Sequence, residues 1–262
     1  MYEGCLEVFV PAERPCASMK PGSHKHAGAK NIMMRKIIFE LCAETIDDCT
    51  AALNGGAARI ELCSGLSEGG LTPSHGLIAH AVQSAGLPVH VLIRPRGGDF
   101  SYSESELAVM AEDIRHAKQL GVAGVVLGML NQERAVHVAH TRALVHLAKP
   151  MQVTFHRAFD ETASLPEALE AIIGVGCDRV LTSGGREIVL AGAETLQALV
   201  RQASGRIDIA VGGGLRLTSA DEVARITGAE HFHGSLRGES DGAACTVDAK
   251  TVRAMIQQLQ EA

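Results

Sequence analysis

Residues 59–74, RIELCSGLSEGGLTPS, decide the fold because they read as the end of a short strand followed by a glycine-rich loop. Glu61 and Cys63 stand two residues apart, and alternate residues of a strand share one face. Their side chains are therefore predicted to point the same way. The same order occurs upstream, where Glu40 and Cys42 lie in the run FELC. Two neighbouring strands are thus predicted to bring an acid and a thiol each to one shared place.

From Lys36 onward, short apolar runs alternate with amphipathic segments at intervals of roughly 20 to 35 residues, close to one strand and one helix each. Eight such units are what a (β/α)8 barrel, also called a TIM barrel, requires. The sequence therefore predicts a single α/β domain of this fold over residues 35–262. An open, doubly wound sheet is the alternative, but nothing marks a topological break. The eight runs are IIFELC, ARIELC, PVHVLIRP, GVVLGML, MQVTFHR, DRVLTS, IDIAVGGG and HFHGS.

Residues 1–34 differ from the rest of the chain because they show no sustained periodicity. Their apolar run CLEVFV is too short for the core of a secretory signal and has no basic residue before it. Met33 and Met34 stand just before the first convincing strand. The segment is therefore predicted to be a poorly ordered extension, or the result of a start site placed too early.

The composition excludes several classes of partner. A net charge of −6 argues against a general surface for nucleic acid or anionic membranes. No run approaches the ~18 apolar residues of a membrane helix. The seven cysteines are scattered and include no CxxC pair, which suits reduced thiols better than a disulfide framework. The chain is therefore predicted to be a cytoplasmic protein that binds neither nucleic acid nor membranes.

The chemistry of a TIM barrel gathers at the C-terminal ends of its strands, and several charged side chains follow the predicted strands. Glu40 and Glu61 are expected to pair with arginines there, because buried charges are costly unless they are paired. The result is either an ion-paired plug or a ligand pocket, and convergence from many strands favours the pocket. The arginines are Arg94, Arg96 and Arg157, and the candidate catalytic acids or bases are Glu40, Glu61 and His156.

Glycines follow the seventh and eighth strands, where TIM barrels commonly bind phosphate through backbone N–H groups. Glycine lets the backbone approach an anion closely, although it also simply makes tight turns. No lysine stands at a strand end, which argues against Schiff-base chemistry. The predicted anion-binding residues are Arg94, Arg96, Arg157, Ser183, Gly212, Gly213, Gly214 and Ser235.

Cys42 and Cys63 are the candidate metal ligands. Thiolates prefer soft ions such as Cu(I) or Zn, and His156 or His233 could add a further ligand. A buried cysteine is often only a small apolar residue, and this spacing is weaker evidence than a CxxC pair because strand register decides whether the sulfurs meet. The repetition of the Glu-Leu-Cys order favours the metal site.

Eight sequence motifs follow one another along the chain: FELCAE, RIELCSGLSEGGLTPS, LIRPRGGDFSYS, GVVLGML, TFHRAFDE, RVLTSGG, VGGGL and EHFHGS. In these motifs the sequence resembles the CutC copper homeostasis family, from about Ile37 to Arg237. This resemblance implies a TIM barrel, a cytoplasmic location, self-association into a homo-oligomer, and a role in copper handling through Cu(I) binding. By position, the copper thiols would be Cys42 and Cys63.

The resemblance does not explain every polar residue at the strand ends. Two or three soft ligands are enough to hold Cu(I), and neither arginines nor a triple-glycine loop is needed for that. The sequence therefore leaves two functions open. The first is a copper homeostasis protein, and the second is a TIM-barrel enzyme acting on a small anionic or phosphorylated metabolite. A barrel that serves mainly as a partner-binding module is a third possibility, for which no specific residue speaks.

Overall fold

A computed structural model describes residues 36–237 and 247–262, and in these ranges eight parallel strands form a closed barrel in chain order with eight α-helices between and after them. The predicted TIM barrel is confirmed. The extension predicted at residues 1–34 lies outside the described residues. The strands are β1 (Ile38–Ala43), β2 (Arg59–Leu62), β3 (Val89–Leu92), β4 (Gly124–Leu127), β5 (Gln152–Phe155), β6 (Arg179–Thr182), β7 (Asp208–Gly212) and β8 (His231–Gly234). The helices are α1 (Ile46–Gly55), α2 (His75–Ser84), α3 (Glu104–Gln119), α4 (Val138–Ala148), α5 (Leu165–Val175), α6 (Ala193–Ala203), α7 (Ala220–Thr227) and α8 (Ala249–Glu261).

Capping side chains fix where the helices begin. Thr45 precedes α1, and its hydroxyl accepts a hydrogen bond from the backbone N–H of Asp48 at 3.1 Å. The Asp48 carboxylate accepts in return from the backbone N–H of Thr45, which completes a capping box. Ser103 and Glu106 form the same arrangement at the start of α3. These caps satisfy N–H groups that the first helical turn leaves without partners.

The two faces of each strand enter different environments. On β1, Phe39 and Leu41 belong to the large apolar cluster that also contains residues of the surrounding helices. Glu40 alternates with them, is fully buried and faces the barrel interior, where it meets a side chain from β6, a strand that is not its neighbour. The interior therefore contains charged groups that require partners.

Glycine makes room for one interior side chain. A Cβ atom on Gly124 of β4 would lie 2.6 Å from the imidazole of His90 on β3, closer than real Cβ contacts allow. His90 is 1% exposed, and its burial lowers its pKa to about 4, so the ring is neutral at physiological pH.

In the described ranges, no helix combines the length and the apolar character that crossing a membrane requires.

Candidate metal and anion site

A cavity of about 250 Å³ opens at the C-terminal end of the barrel. Side chains or backbone from the ends of β1, β2, β3, β5, β6, β7 and β8, or from the loops after them, line it. Because parallel strands end together, residues distant in the chain meet there. This is the end of the barrel at which the sequence analysis placed the site.

The two predicted thiols are adjacent. The Sγ atom of Cys42 lies 3.5 Å from the Sγ atom of Cys63 and 4.0 Å from Oε1 of Glu61. Cys42 lines the cavity, whereas Cys63 is fully buried and does not. Both are free thiols. The hydrogen bond to Cys63 and burial raise the pKa of the Cys42 thiol well above its usual value of 9.0, so this thiol is protonated at neutral pH.

His233 on β8 completes a group of possible ligands. One ligand atom each from Cys42, Glu61 and His233 lies within 4.8 Å of the other two. The Nε2 atom of His233 is 3.4 Å from Oε2 of Glu61, yet neither buried atom has a hydrogen-bond partner within the described residues. Burial lowers the pKa of His233, but the Glu61 carboxylate outweighs it and the net pKa is raised. A cation bound between these groups would satisfy both atoms.

The donor set fits a soft metal ion. Two sulfurs 3.5 Å apart would subtend an angle of roughly 100° at a metal bonded to both at about 2.3 Å, the length of a zinc–thiolate bond. Two sulfurs and an imidazole suit Cu(I), and the same donors with a carboxylate suit Zn. Of the two histidines considered in the sequence, His233 belongs to this group and His156 does not.

Glu40 lies outside the lining of the cavity, and its expected pairing with Arg94, Arg96 or Arg157 is wrong. Its carboxylate accepts a hydrogen bond from Arg179 of β6. Burial would raise the pKa of Glu40, but Arg179 and then His233 outweigh that effect and lower the pKa to about 2. Glu40 is therefore an ionised carboxylate held within the barrel. The Nε atom of Arg59 lies 3.8 Å from Oε2 of the same carboxylate.

His156 lines the cavity as a neutral hydrogen-bond donor. Its Nδ1 accepts from the backbone N–H of Ala158 at 3.1 Å, which assigns the ring proton to Nε2. Burial, reinforced by nearby Arg94, lowers the pKa of His156 to about 3. The Nε2 atom is buried and has no partner among the described residues. In this state the ring can donate a hydrogen bond but cannot accept a proton at Nε2.

Arg94 also lines the cavity, and backbone carbonyls hold its guanidinium group. It donates to the carbonyls of Glu68, Gly70 and Gly98 at 2.7, 2.9 and 2.7 Å. In the part of the chain that the structure describes, no carboxylate pairs with Arg94 and its Nε has no partner. The side chain thus joins the loops after β2 and β3 and leaves a positive charge at the cavity wall.

Arg96 and Arg157 occupy different places. Arg96 lies outside the cavity, where its Nε donates to Glu106 at 2.6 Å. Arg157 lines the cavity and pairs with Asp160 at 3.0 Å. The Asp160 carboxylate also accepts from the backbone N–H and hydroxyl of Ser183. An internal carboxylate therefore already fills the anion-binding position after β6.

The glycine loop after β7 differs from that position because no acidic side chain of the described residues fills it. Gly213 and Gly214 line the cavity with positive φ values of 109° and 69°. Within the described ranges, the backbone N–H groups of Gly214, Leu215 and Ser235 donate no hydrogen bond, and all three residues line the cavity. Gly212 lies inside β7, where a Cβ atom would be 2.6 Å from Leu181, and it does not line the cavity.

Two arginines of the barrel were not identified from the sequence. Arg179 stands at the start of a strand, where barrel chemistry is not expected. Arg216 follows the triple glycine by two positions, and that spacing is the signal that could have identified it. The residue lines the cavity, and its side chain makes no ion pair with any described carboxylate.

Comparisons of sequence with known proteins point to one family. The sequence model of the CutC family matches residues 37–238. A family protein CutC from Chromobacterium violaceum is 46% identical over 202 residues, 77% of this chain and 82% of that protein. Another from Xylella fastidiosa is 47% identical over 199 residues, 76% of this chain and 74% of that protein.

Comparisons of structure lead to the same family. The crystal structure of a candidate copper homeostasis protein CutC from Streptococcus agalactiae has a TM-score of 0.72 and 33% identity, covering 76% of this chain and 98% of that chain. N-(5'-phosphoribosyl)anthranilate isomerase from Pyrococcus furiosus has a TM-score of 0.55 over 86% of this chain and 100% of that chain. Its identity is 13%, so that likeness shows only the barrel fold.

Proposed function

The chain belongs to the CutC family, and from that premise we propose that it is a copper homeostasis protein that binds Cu(I) at the barrel mouth. Cys42 and Cys63 supply the sulfurs and His233 supplies a nitrogen. Glu61 adjoins them and balances the charge of the ion.

One observation carries this proposal: the Sγ atom of Cys42 lies 3.5 Å from that of Cys63 and belongs to a buried group of possible ligands with Glu61 and His233. Within the described residues, Oε2 of Glu61 and Nε2 of His233 have no hydrogen-bond partner. Soft thiolate and imidazole donors select Cu(I) over hard cations such as Mg²⁺ or Ca²⁺. Binding requires Cys42 to lose its proton, and the Glu61 carboxylate, 4.0 Å away, can accept it.

The test is an anaerobic Cu(I) titration against a chromogenic chelator. The wild-type protein is expected to bind one Cu(I) tightly, and Cys42→Ser and Cys63→Ser are each expected to weaken binding by at least about tenfold. Cys49→Ser is the matched control, because Cys49 is equally buried but lies on α1. Tight one-to-one binding by the Cys42→Ser/Cys63→Ser double variant would reject these ligands.

Zinc is the competing metal because its ligand preferences overlap with this donor set. The same titration with Zn²⁺ under reducing conditions separates the two ions. Copper handling requires Cu(I) to displace Zn²⁺ from the wild-type protein. Displacement of bound Cu(I) by equimolar Zn²⁺ would instead identify a zinc site.

An enzyme acting on a small anionic metabolite is the second candidate function. The backbone N–H groups of Gly214, Leu215 and Ser235, which have no acceptor among the described residues, favour it because they can bind an anion. Of the three candidate catalytic groups, Glu40 is held by Arg179 and His156 carries its proton on Nε2, so Glu61 remains as the acid or base. Thermal-shift measurements with sugar phosphates and small carboxylates test this function, and no stabilisation by any anion would count against it.

We also infer a cytoplasmic location and self-association. The four cysteines of the described residues are free and buried, which supports a reducing compartment. Because the net charge is −6, we expect neither nucleic acid nor anionic membranes as partners. Sedimentation equilibrium at several protein concentrations tests self-association, and a monomer at every concentration would contradict it.

A further inference from the structure

Positive charge dominates the cavity around the proposed copper ligands. Glu61 is the one carboxylate among the described residues that line it. Three arginines line it as well, and among the described residues only Arg157 of these is paired with an acid. Arg94 and Arg216 have no carboxylate partner in the described ranges. A Cu(I) ion that replaces the Cys42 proton leaves this net charge as it is, so the two unpaired arginines still lack an anion after the metal binds.

The same wall has hydrogen-bond donors without partners. Within the described residues, these donors are the backbone N–H groups of Gly214, Leu215 and Ser235 and the Nε2–H of His156. Leu215 and His156 are buried, and buried donors without partners are costly, so a ligand that reaches them gains the hydrogen bonds they lack. Ordered water could satisfy some of them, but water does not compensate the charge of the arginines. An anionic group satisfies both needs.

The N–H groups that can bind an anion lie close enough to the proposed copper ligands for one small molecule to reach both. Ser235 is the second residue after His233, so their Cα atoms are at most about 7 Å apart. A molecule that places sulfur on the metal and a carboxylate on the Ser235 N–H therefore needs only a few carbon atoms between them. Arg216 stands at the same wall and can pair with that carboxylate.

We infer that the cavity accepts Cu(I) as a complex with a small thiol that carries a carboxylate, rather than as the bare ion. This inference rests on the proposed function. The step is a ligand exchange in which copper stays Cu(I): a Cu–S bond to Cys42 forms, a Cu–S bond to one of two carrier thiolates breaks, and the Cys42 proton leaves on the released thiol. The second carrier thiolate stays on the metal with Cys42 and His233, in the place that Cys63 takes when no carrier is bound. Its carboxylate lies at Gly214, Leu215, Ser235 and Arg216.

The experiment compares two carriers that differ in one group. Mercaptoacetate and 2-mercaptoethanol share a thiol and a methylene, but the first ends in a carboxylate and the second in a neutral hydroxymethyl group. The full chain is loaded anaerobically with Cu(I) from each carrier, desalted and assayed for copper and for radiolabelled thiol. Mercaptoacetate is expected to remain with protein and copper at one to one to one, and 2-mercaptoethanol to be lost.

Paired variants locate the anion. Arg216→Gln is expected to lower the preference for the mercaptoacetate complex over the 2-mercaptoethanol complex by about tenfold, because it removes a charge-assisted hydrogen bond. Arg225→Gln is the matched control, since Arg225 is also exposed but lies on α7 outside the cavity lining. An equal loss of preference in both variants would contradict the assignment of Arg216.

The outcomes separate this inference from the proposed function. Cys42-dependent copper binding without retained thiol overturns the inference and leaves the copper site in place. Retention of both thiols in equal amounts overturns it too, because the carboxylate then contributes nothing. No copper retained from either carrier overturns both proposals. Retention of mercaptoacetate without copper supports the enzyme alternative and overturns the composite site.

Discussion

Arg179 on β6 donates a hydrogen bond to the carboxylate of Glu40 on β1, across the interior of the barrel. Both side chains are almost fully buried, with 3% and 0% exposure. Arg59 lies 3.8 Å from the same carboxylate on the neighbouring strand. The pair lies outside the lining of the cavity, so its role is to hold the strands that carry the site rather than to touch a ligand.

Glu40→Gln is expected to lower the free energy of unfolding by about 3 to 5 kcal/mol, because it leaves the buried Arg179 guanidinium without a charge partner. Urea denaturation at pH 7 measures the change. The double variant Glu40→Met/Arg179→Met is expected to recover much of the loss, since both charges are then gone. Glu170→Gln, which breaks an exposed pair with Arg206, is the control and is expected to change stability far less. Equal effects of Glu40→Gln and Glu170→Gln would contradict the buried role.

Acid is expected to destabilise the barrel through His90. Its ordinary pKa of 6.5 falls to about 4 in the folded state because of burial. The unfolded chain therefore binds a proton first as the pH falls below 6.5, and stability is lost until the pH reaches the folded pKa. The total loss from this residue is about 3 kcal/mol. The pKa of His156 is lowered to about 3, so this residue also destabilises the folded state in acid. The pKa of His233 is raised, so its protonation stabilises the folded state instead.

Unfolding free energies at half-unit steps from pH 7 to pH 4.5 measure this dependence. His90→Gln is expected to reduce the slope by up to about 1.4 kcal/mol per pH unit. His80→Gln changes an exposed histidine of α2 and should leave the slope as it is. An unchanged slope in His90→Gln would show that this ring is not the neutral buried group described above.

The barrel and the meeting of Cys42 with Cys63 were predictable because both follow from short-range pattern. Apolar runs ended by turn residues give the strand number, and a repeated Glu-Leu-Cys order on adjacent strands gives two sulfurs on one face. The partner of Glu40 was not predictable in this way. Closing a barrel staggers its strands, so a residue at the start of β6 reaches the level of one in the middle of β1. Sequence spacing contains no direct measure of that stagger.

Loop geometry set the other limit. Ser183 was predicted to bind an external anion. In the structure, its backbone N–H and its hydroxyl donate instead to the carboxylate of Asp160, which occupies that position. Among the residues that the structure describes, no such acid faces the glycines after β7, and only the path of the loop shows that Leu215 and Arg216 join them at the cavity. Residue types identified both loops as polar, but they did not distinguish a filled anion position from an open one.

Asp160→Ala is expected to turn the filled position after β6 into an anion site. The substitution leaves the N–H groups of Ser183 and Gly185 without their acceptor and should cost about 2 to 4 kcal/mol of stability. Sulfate should then restore part of the melting temperature, while the wild-type protein responds little. Sodium chloride at equal ionic strength is the control for screening. A variant whose melting temperature ignores sulfate would contradict the account of Asp160 as an internal anion.

Copper affinity is expected to increase with pH because the ion displaces protons from its ligands. The raised pKa of Cys42 means that this thiol is protonated at neutral pH, so each unit of pH should strengthen Cu(I) binding about tenfold. Below the raised pKa of His233 its imidazolium must also lose a proton, which makes the dependence steeper in acid. Glu61→Gln removes the carboxylate that raises this pKa and should flatten the acidic part of the curve alone. Chelator competition from pH 6 to pH 8 measures both effects, and Cys49→Ser is the control. A Cu(I) affinity that does not vary with pH would exclude Cys42 as a ligand that binds as thiolate.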